Sequence, residues 1–196
     1  MTVRTTCLRT LQILTLCALL LLAGCYPTAV HPFYKADEVI YDKALIGDWA
    51  SVGNDEKNVL IIKPGSDEKE YLIVNFEEQI AYTYIAHLFE INKVRMLDIT
   101  PANQVRTSHT NDSAHVIFTH SLWRVNQIGE NLDLRLMDED KLKAIVGAED
   151  IPFVKNDDDV VLTGKTDDLQ DILRHHMDEL FPAEGHSHFR RMRNER

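Results

Sequence analysis

Histidine pairs are the residues of this sequence best suited to metal chemistry. His186 and His188 are two residues apart, so in an extended chain both imidazoles lie on one face and can bind one zinc or copper ion. Glu184 or His175 would supply a third ligand. His175 and His176 are adjacent, about 100° apart on a helix, and do not easily chelate one ion together. The sequence therefore predicts a candidate metal site at His186 and His188, with a histidine-containing polar tail as the alternative.

Motifs for catalysis are missing from the sequence. A phosphate-binding loop needs glycines that let backbone N–H groups approach anionic oxygens, and the 8 glycines form no such loop before a helix. The chain also lacks the Gly-x-Ser-x-Gly motif of serine hydrolases. Acidic pairs are abundant, but they fall in predicted turns and helix starts. The sequence thus predicts a protein that is not an enzyme, with no catalytic residue and no cofactor.

The first 24 residues have the layout of a secretory signal. Arg4 and Arg9 provide a positive start. The apolar stretch from Leu11 to Leu22 is shorter than the roughly 20 residues that a membrane-spanning helix needs. We therefore expect residues 1–24 to be a signal peptide that is removed.

The run Leu21-Leu22-Ala23-Gly24-Cys25 resembles the lipobox of bacterial lipoproteins. The resemblance implies that the Cys25 thiol is diacylated, that the chain is cut before Cys25 and that the new amino terminus is acylated. Two or more acyl chains hold a protein firmly at a membrane. Tyr26 stands where the inner-membrane retention signal has aspartate, so the resemblance favours the outer membrane of a Gram-negative host, facing the periplasm. The alternative is an ordinary secretory signal that ends in cysteine.

The chain that remains after cleavage is acidic and of ordinary domain size. It has about 172 residues, with 19 basic against 31 acidic side chains and a net charge of about −12. Such a surface repels phosphate backbones, which argues against nucleic acid as a partner. Cys7 and Cys17 leave with the signal, so Cys25 has no partner for a disulfide. Stability must come from a hydrophobic core.

A period-two pattern of apolar residues begins after a predicted spacer. Pro27 and Pro32 favour an extended tether over residues 25–44, with a reach of some 60 Å at most. Eight short strands separated by turn residues then predict a mainly β fold, an antiparallel barrel over residues 45–182. The predicted strands are Ile46 to Val52, Val59 to Lys63, Glu70 to Phe76, Ala81 to Ile91, Val94 to Ile99, His115 to Asn126, Leu132 to Met137 and Asp159 to Thr163.

Two helices interrupt this pattern, and the C-terminal one is the longer. Asp138 is a suitable N-cap for a helix from Glu139 to Val146, and Thr166 is a suitable N-cap for a helix that Pro182 ends. The second helix carries one apolar stripe, which packs on the barrel or, alternatively, binds a partner. Residues 183–196 are predicted to be a polar tail rich in arginine and histidine. The stripe comprises Leu169, Ile172, Leu173, Met177, Leu180 and Phe181.

The Gly47-Asp48-Trp49 motif at the start of the first strand resembles that of the lipocalin and calycin group. In that group the tryptophan closes one end of the barrel, and a basic residue from the last strand or just beyond it packs over the indole. The resemblance assigns Gly47 and Trp49 to the closed end and makes Lys165 the basic residue. An ammonium over an indole contributes roughly 0.5–1 kcal/mol where it is exposed.

A closer resemblance, to small bacterial lipoproteins with no assigned activity, covers nearly the whole mature chain. It is carried by Ala44-Leu45-Ile46-Gly47-Asp48-Trp49, Ala86-His87-Leu88-Phe89, Leu97-Asp98-Ile99-Thr100-Pro101 and Leu162-Thr163-Gly164-Lys165-Thr166. This likeness implies a fold and a location. It supplies no catalytic residues.

Tyr82 and Tyr84 are the candidate ligand-binding residues. They share one face of a strand with Ala86 and Leu88, and the opposite face is apolar as well, which indicates a strand covered on both sides. The resulting hypothesis is a non-catalytic, lipid-anchored envelope protein that binds a small apolar molecule at the barrel mouth. The alternatives are an envelope interaction module, which docks a partner through its helix or arginine-rich tail, and a metal-responsive lipoprotein.

Overall fold

The computed structural model describes residues 27–53, 58–77, 80–102, 117–156, 159–184 and 186–193. The predicted signal, residues 1–24, and Cys25 lie outside these residues. The helices of the described ranges are too short or too polar to cross a membrane.

Eight antiparallel strands form a closed barrel. In chain order the strands are β1 (Thr28–Ala29), β2 (Val39–Ile40), β3 (Gly47–Ser51), β4 (Val59–Pro64), β5 (Glu70–Glu77), β6 (Ile80–Ile91), β7 (Val94–Pro101), β8 (Ser121–Ile128), β9 (Asn131–Leu136), β10 (Phe153–Asn156), β11 (Asp159–Leu162) and β12 (His186–Arg191). The ring runs β3-β4-β5-β6-β7-β8-β9-β12, and the pairing of β12 with β3 completes it. The helices are α1 (Glu139–Ala148) and α2 (Thr166–Leu180). The predicted fold class is confirmed.

Local sequence explains several of these boundaries. Asn92 and Lys93 both have positive φ, 51° and 65°, as a two-residue hairpin between β6 and β7 requires. The Asp138 carboxylate caps α1 by accepting a hydrogen bond from the Lys141 backbone N–H at 2.9 Å. Helix α2 begins at Thr166, so its N-cap is Lys165 and not Thr166 as predicted, and the Asp168 carboxylate accepts from the backbone N–H of Lys165 at 3.0 Å.

The identity of the eighth barrel strand differs from the prediction. Strand β11 is not in the barrel, because it pairs with β1 and β10 in a separate three-stranded sheet. The barrel is completed instead by β12, which lies in the segment predicted as a polar tail. Phe189 is the one buried residue of β12, so its period-two signal is too weak to stand out beside charged neighbours.

The predicted tether also differs from the structure. From Pro27 onward the segment packs against the rest of the chain, with Ala29, Phe33 and Val39 buried. Strand β1 runs parallel to β11, and β2 pairs with the end of β6. The prolines indicated a spacer, but apolar residues of the same segment pack on the outside of the barrel and hold the segment there.

Two hydrophobic cores lie on either side of the barrel wall. The inner core includes Trp49, Ile73, Leu97 and Leu132. The outer core is the α2 stripe packed with the N-terminal segment on outward residues of β6, β7 and β8, and it includes Phe33, Phe89, Met96, Leu122, Leu169, Ile172, Leu173, Met177, Leu180 and Phe181. The apolar face of α2 is therefore part of the core. Burial of each such side chain contributes about 1.5–3 kcal/mol to stability. This face is not free to dock a partner.

Arg191 and Trp49 close one end of the barrel. The Trp49 side chain is fully buried, and its indole N–H donates to the Leu45 carbonyl at 3.1 Å. The Arg191 guanidinium lies 4.1 Å from the centre of the indole ring. Its nitrogens donate to the carbonyl oxygens of Ile46 at 2.8 Å, Ala44 at 2.5 Å and Gly129 at 3.2 Å. The expected cation over the indole is present, but it is Arg191.

Gly47 and Lys165 were both assigned to the closed end of the barrel, but only Gly47 lies there. Gly47 has φ of 153°, and a Cβ there would collide with the Arg191 guanidinium, so glycine is required on both counts. Lys165 is exposed and precedes α2, so its assignment to the closed end is wrong. The error follows from taking β11 as the last barrel strand, which placed Lys165 just beyond it.

Replacement of Arg191 by alanine is expected to lower the free energy of unfolding by about 2–4 kcal/mol, because it removes the cation–π contact and three charge-assisted hydrogen bonds. Urea denaturation measures this change. Arg190→Ala is the matched control, since Arg190 is exposed on the outer face of the same strand. Equal midpoints for the two variants would contradict the role of Arg191.

Candidate functional site

The interior of the barrel is filled at one end and open at the other. The half beside Trp49 is packed with buried side chains, among them Leu60, Ile62, Tyr71 and Ile73. The other half holds a cavity of about 340 Å³. Its wall is apolar at Leu60, Tyr84, Ile99, Pro101, Trp123, Leu136 and Phe189, and polar at Asn58, Asn75, Glu77, Thr119, Ser121 and Ser187.

The cavity lies where the inward residues of some strands are small or polar near the open end. From the open to the closed end, the inward residues of β5 are Asn75, Ile73 and Tyr71. On β8 and β12 the most open positions are Ser121 and Ser187, and both line the cavity. Small or polar inward residues leave space that larger residues fill deeper down. The cavity was not predicted, although these small and polar residues at the open ends of the strands are visible in the sequence.

Polar and aromatic side chains line the mouth of the cavity. The Asn75 amide donates to the Glu77 carboxylate at 2.8 Å, and both residues belong to the end of β5. Tyr84 lines the cavity wall, as its strand face predicted. Tyr82 is opposite Asn75 in the register and is 41% exposed. The two candidate ligand-binding tyrosines thus lie in the wall and at the mouth.

Exposed apolar side chains are concentrated at this open end. Ile117 and Phe118 directly precede the cavity residue Thr119, and Ile80 begins β6 beside the mouth. Ile80 is 57% exposed and Ile117 is 69% exposed. Val52 and Phe76 lie at the ends of β3 and β5 on the same side. We call Val52, Phe76, Ile80, Tyr82, Ile117 and Phe118 the apolar rim.

A network of buried polar groups holds the N-terminal segment on the outside of the barrel. Asp98 is 1% exposed, and its two oxygens accept from the Phe33 backbone N–H at 2.9 Å and from His120 Nδ1 at 2.6 Å. The Tyr34 hydroxyl lies 3.1 Å from His87 Nδ1, with the rings stacked. Burial raises the pKa of Tyr34 to about 12 and lowers the pKa of His87. The hydroxyl therefore donates to a neutral imidazole.

The structure brings the two predicted metal ligands together. His186 and His188 are on the outer face of β12, with ring centres 4.1 Å apart. Their third neighbour is Asp133 of β9, whereas the expected ligands were Glu184 and His175. His175 instead lies on α2, where its Nδ1 is 2.8 Å from the Asp171 carbonyl oxygen. Asp133 could not be predicted as the third neighbour, because β12 was assigned to a tail and not to a strand beside β9.

Comparisons with protein-family models, curated proteins and solved structures found no match. The function of the chain must therefore be inferred from the geometry of its own residues.

The two tryptophans of the chain allow a direct test of the open cavity. In a Trp49→Phe variant the emission comes from Trp123 in the cavity wall, whereas in Trp123→Phe it comes from the fully buried Trp49. We expect acrylamide to quench Trp123 several-fold more strongly than Trp49, because the cavity admits small solutes. Circular dichroism of both variants checks that they are folded. Equal and weak quenching would mean that the cavity is closed to solvent.

Proposed function

We propose that this protein is a non-catalytic, lipid-anchored protein of the cell envelope that binds a small, mainly apolar molecule in the open half of its barrel. The observation that carries the proposal is the cavity of about 340 Å³ at one end of a barrel that is otherwise solidly packed. Pockets for small molecules begin at about 300 Å³ and combine apolar walls with a few polar groups. This cavity exceeds that size, and its wall combines apolar residues with nearly as many polar ones.

The wall chemistry indicates the class of ligand. Trp123, Phe189 and Leu60 offer an apolar surface to a chain or ring inside the barrel. Asn75 and Glu77 at the mouth offer hydrogen-bonding partners to a polar group that stays near solvent. A carboxylate at the entrance disfavours an anionic headgroup by charge repulsion. A small amphiphile with a neutral or cationic head fits best.

The predicted lipid anchor would attach the chain near the barrel mouth, which supports the membrane as the source of that ligand. Ala29 exchanges backbone hydrogen bonds with His120, next to the cavity residues Thr119 and Ser121. Only Tyr26 separates the predicted lipidation site, Cys25, from the buried Pro27, and two residues span at most about 7 Å. Acyl chains on Cys25 would therefore hold the open end of the barrel close to the bilayer. The apolar rim suits such a surface.

Two of the features that an interaction module would use are engaged within the fold, whereas Arg190 and Arg193 remain exposed. The apolar stripe of α2 is buried in the outer core, and Arg191 of the arginine-rich segment closes the barrel. We therefore rank ligand binding above partner docking.

Filling the cavity is expected to abolish ligand binding. Ser187→Phe places a large ring at an inward position that lines the cavity, whereas Arg190→Phe places it on the outer face of the same strand. With the uncharged fluorophore N-phenyl-1-naphthylamine as probe, we expect saturable binding to the parent chain and to Arg190→Phe, and affinity about tenfold or more weaker for Ser187→Phe. Native mass spectrometry of protein from its host would detect a co-purified ligand. Unchanged probe affinity in a folded Ser187→Phe variant would exclude the cavity as the site.

Loss of the anchor cysteine is expected to release the protein from the membrane. Cys25→Ala removes the acylated thiol, and Cys17→Ala is a matched control within the predicted signal. After expression in a Gram-negative host, fractionation should place Cys25→Ala in the soluble periplasm and Cys17→Ala in the outer membrane, because firm attachment depends on the acyl chains. An exported Cys25→Ala protein that has lost residues 1–24 and still stays in the membrane would refute the anchor.

A further inference from the structure

A cluster of metal-binding side chains lies on the outer surface of the barrel, apart from the cavity. It joins two neighbouring strands, with Asp133 on β9 and with His186 and His188 on β12. Alternate residues of a strand share a face, so both histidines point outward, and His188 is directly opposite Asp133 in the register. In the described part of the chain this is the one group of three such residues whose donor atoms lie within 4.8 Å of one another.

Distances within the cluster are a few tenths of an ångström longer than those of donors around a common ion. Asp133 Oδ2 lies 3.6 Å from His188 Nδ1 and 3.9 Å from His186 Nδ1. Both separations are longer than a hydrogen bond. Zinc with bonds of about 2.0–2.1 Å in tetrahedral geometry places its ligand atoms about 3.3–3.5 Å apart. Small rotations of these side chains would bring all three donors onto one ion.

The Asp133 carboxylate is held in place by a neighbour. Asn126 donates from Nδ2 to Asp133 Oδ1 at 3.2 Å, which leaves Oδ2 facing the two histidines. The Asp133 side chain is 16% exposed, and the histidines are more exposed, so the solvent side of the cluster is open to an ion and its remaining water ligands. A hydrogen bond to a ligating carboxylate is the usual support of a metal site.

We infer that Asp133, His186 and His188 form a binding site for a divalent transition metal, with zinc and copper as the preferred ions. Two imidazoles and one carboxylate are the donors these ions take, whereas calcium and magnesium require oxygen ligands. Arg135, the register partner of His186, places a positive charge nearby. This charge opposes the binding of a cation, so the affinity depends on the three donors, including the charge of Asp133. The inference does not depend on the cavity or on the anchor.

Binding at this site would brace the strand that closes the barrel. The three ligands span the pairing of β9 with β12, so an ion cross-links the two strands from outside. A metal that binds the folded chain and not the unfolded one raises the melting temperature in proportion to the logarithm of its concentration. The site thus predicts zinc-dependent stability.

Zinc titration of the full chain, purified without a histidine tag and stripped with chelator, tests the site. Calorimetry should show one zinc per chain, and the melting temperature should rise with zinc and not with magnesium. Asp133→Asn and Asn126→Ala should each weaken zinc binding by about tenfold or more, the first by loss of a ligand charge and the second by loss of its support. His186→Ala/His188→Ala should abolish it.

His31→Ala/His175→Ala is the matched control, because both residues are exposed histidines outside the cluster. It should bind zinc as the parent chain does. Retention of the zinc site in the His186→Ala/His188→Ala variant would overturn the inference, and so would a parent chain that binds no zinc at micromolar concentrations. If the double variant fails to fold, unchanged zinc affinity in Asp133→Asn would overturn it equally.

Discussion

The contact between the Arg191 guanidinium and the Trp49 indole holds together segments that are far apart in the chain. Arg191 also donates to carbonyl oxygens of the segment before β3 and of the turn between β8 and β9. The first and last strands of the barrel are thereby joined at one end. Closure leaves no unpaired strand edge around the ring. Because this end is tied by buried rings and charge-assisted hydrogen bonds, the barrel remains closed although its other half contains a cavity.

Because half of its interior is hollow, the barrel depends for its stability on the elements that pack on its outside. Small inward residues such as Ser121 and Ser187 contribute little packing, so stability must come from elsewhere. Helix α2 and the N-terminal segment supply it by burying a second core on outward residues of β6, β7 and β8. Buried Asp98 adds specificity, since its two oxygens bind Phe33 and His120 on either side. The outer core thus adds packing that the partly hollow interior lacks.

Features of the fold that depend on neighbouring residues in the sequence were predicted from the sequence pattern. Alternation located seven of the eight barrel strands, the stripe from Leu169 to Phe181 located α2, and Gly47 with Trp49 located the closed end. The remaining features depend on pairing between strands that are far apart in the sequence. Strand β12 has one buried residue, Phe189, and only its neighbours β3 and β9 give it a place. The errors at Lys165, at the tail and at the third metal ligand all follow from missing this strand. The packing of the supposed tether on the barrel depends on the same kind of distant contact.

Strand β12 belongs to both candidate sites at once. Its inner face presents Ser187 and Phe189 to the cavity, and its outer face presents His186 and His188 to Asp133. Arg191 fixes the far end of the strand to the closed end of the barrel. An ion that holds β12 against β9 and a ligand that contacts β12 from inside therefore act on the same six residues. Any change that one makes in the affinity for the other must be reciprocal, because the free energy of binding both is the same whichever binds first.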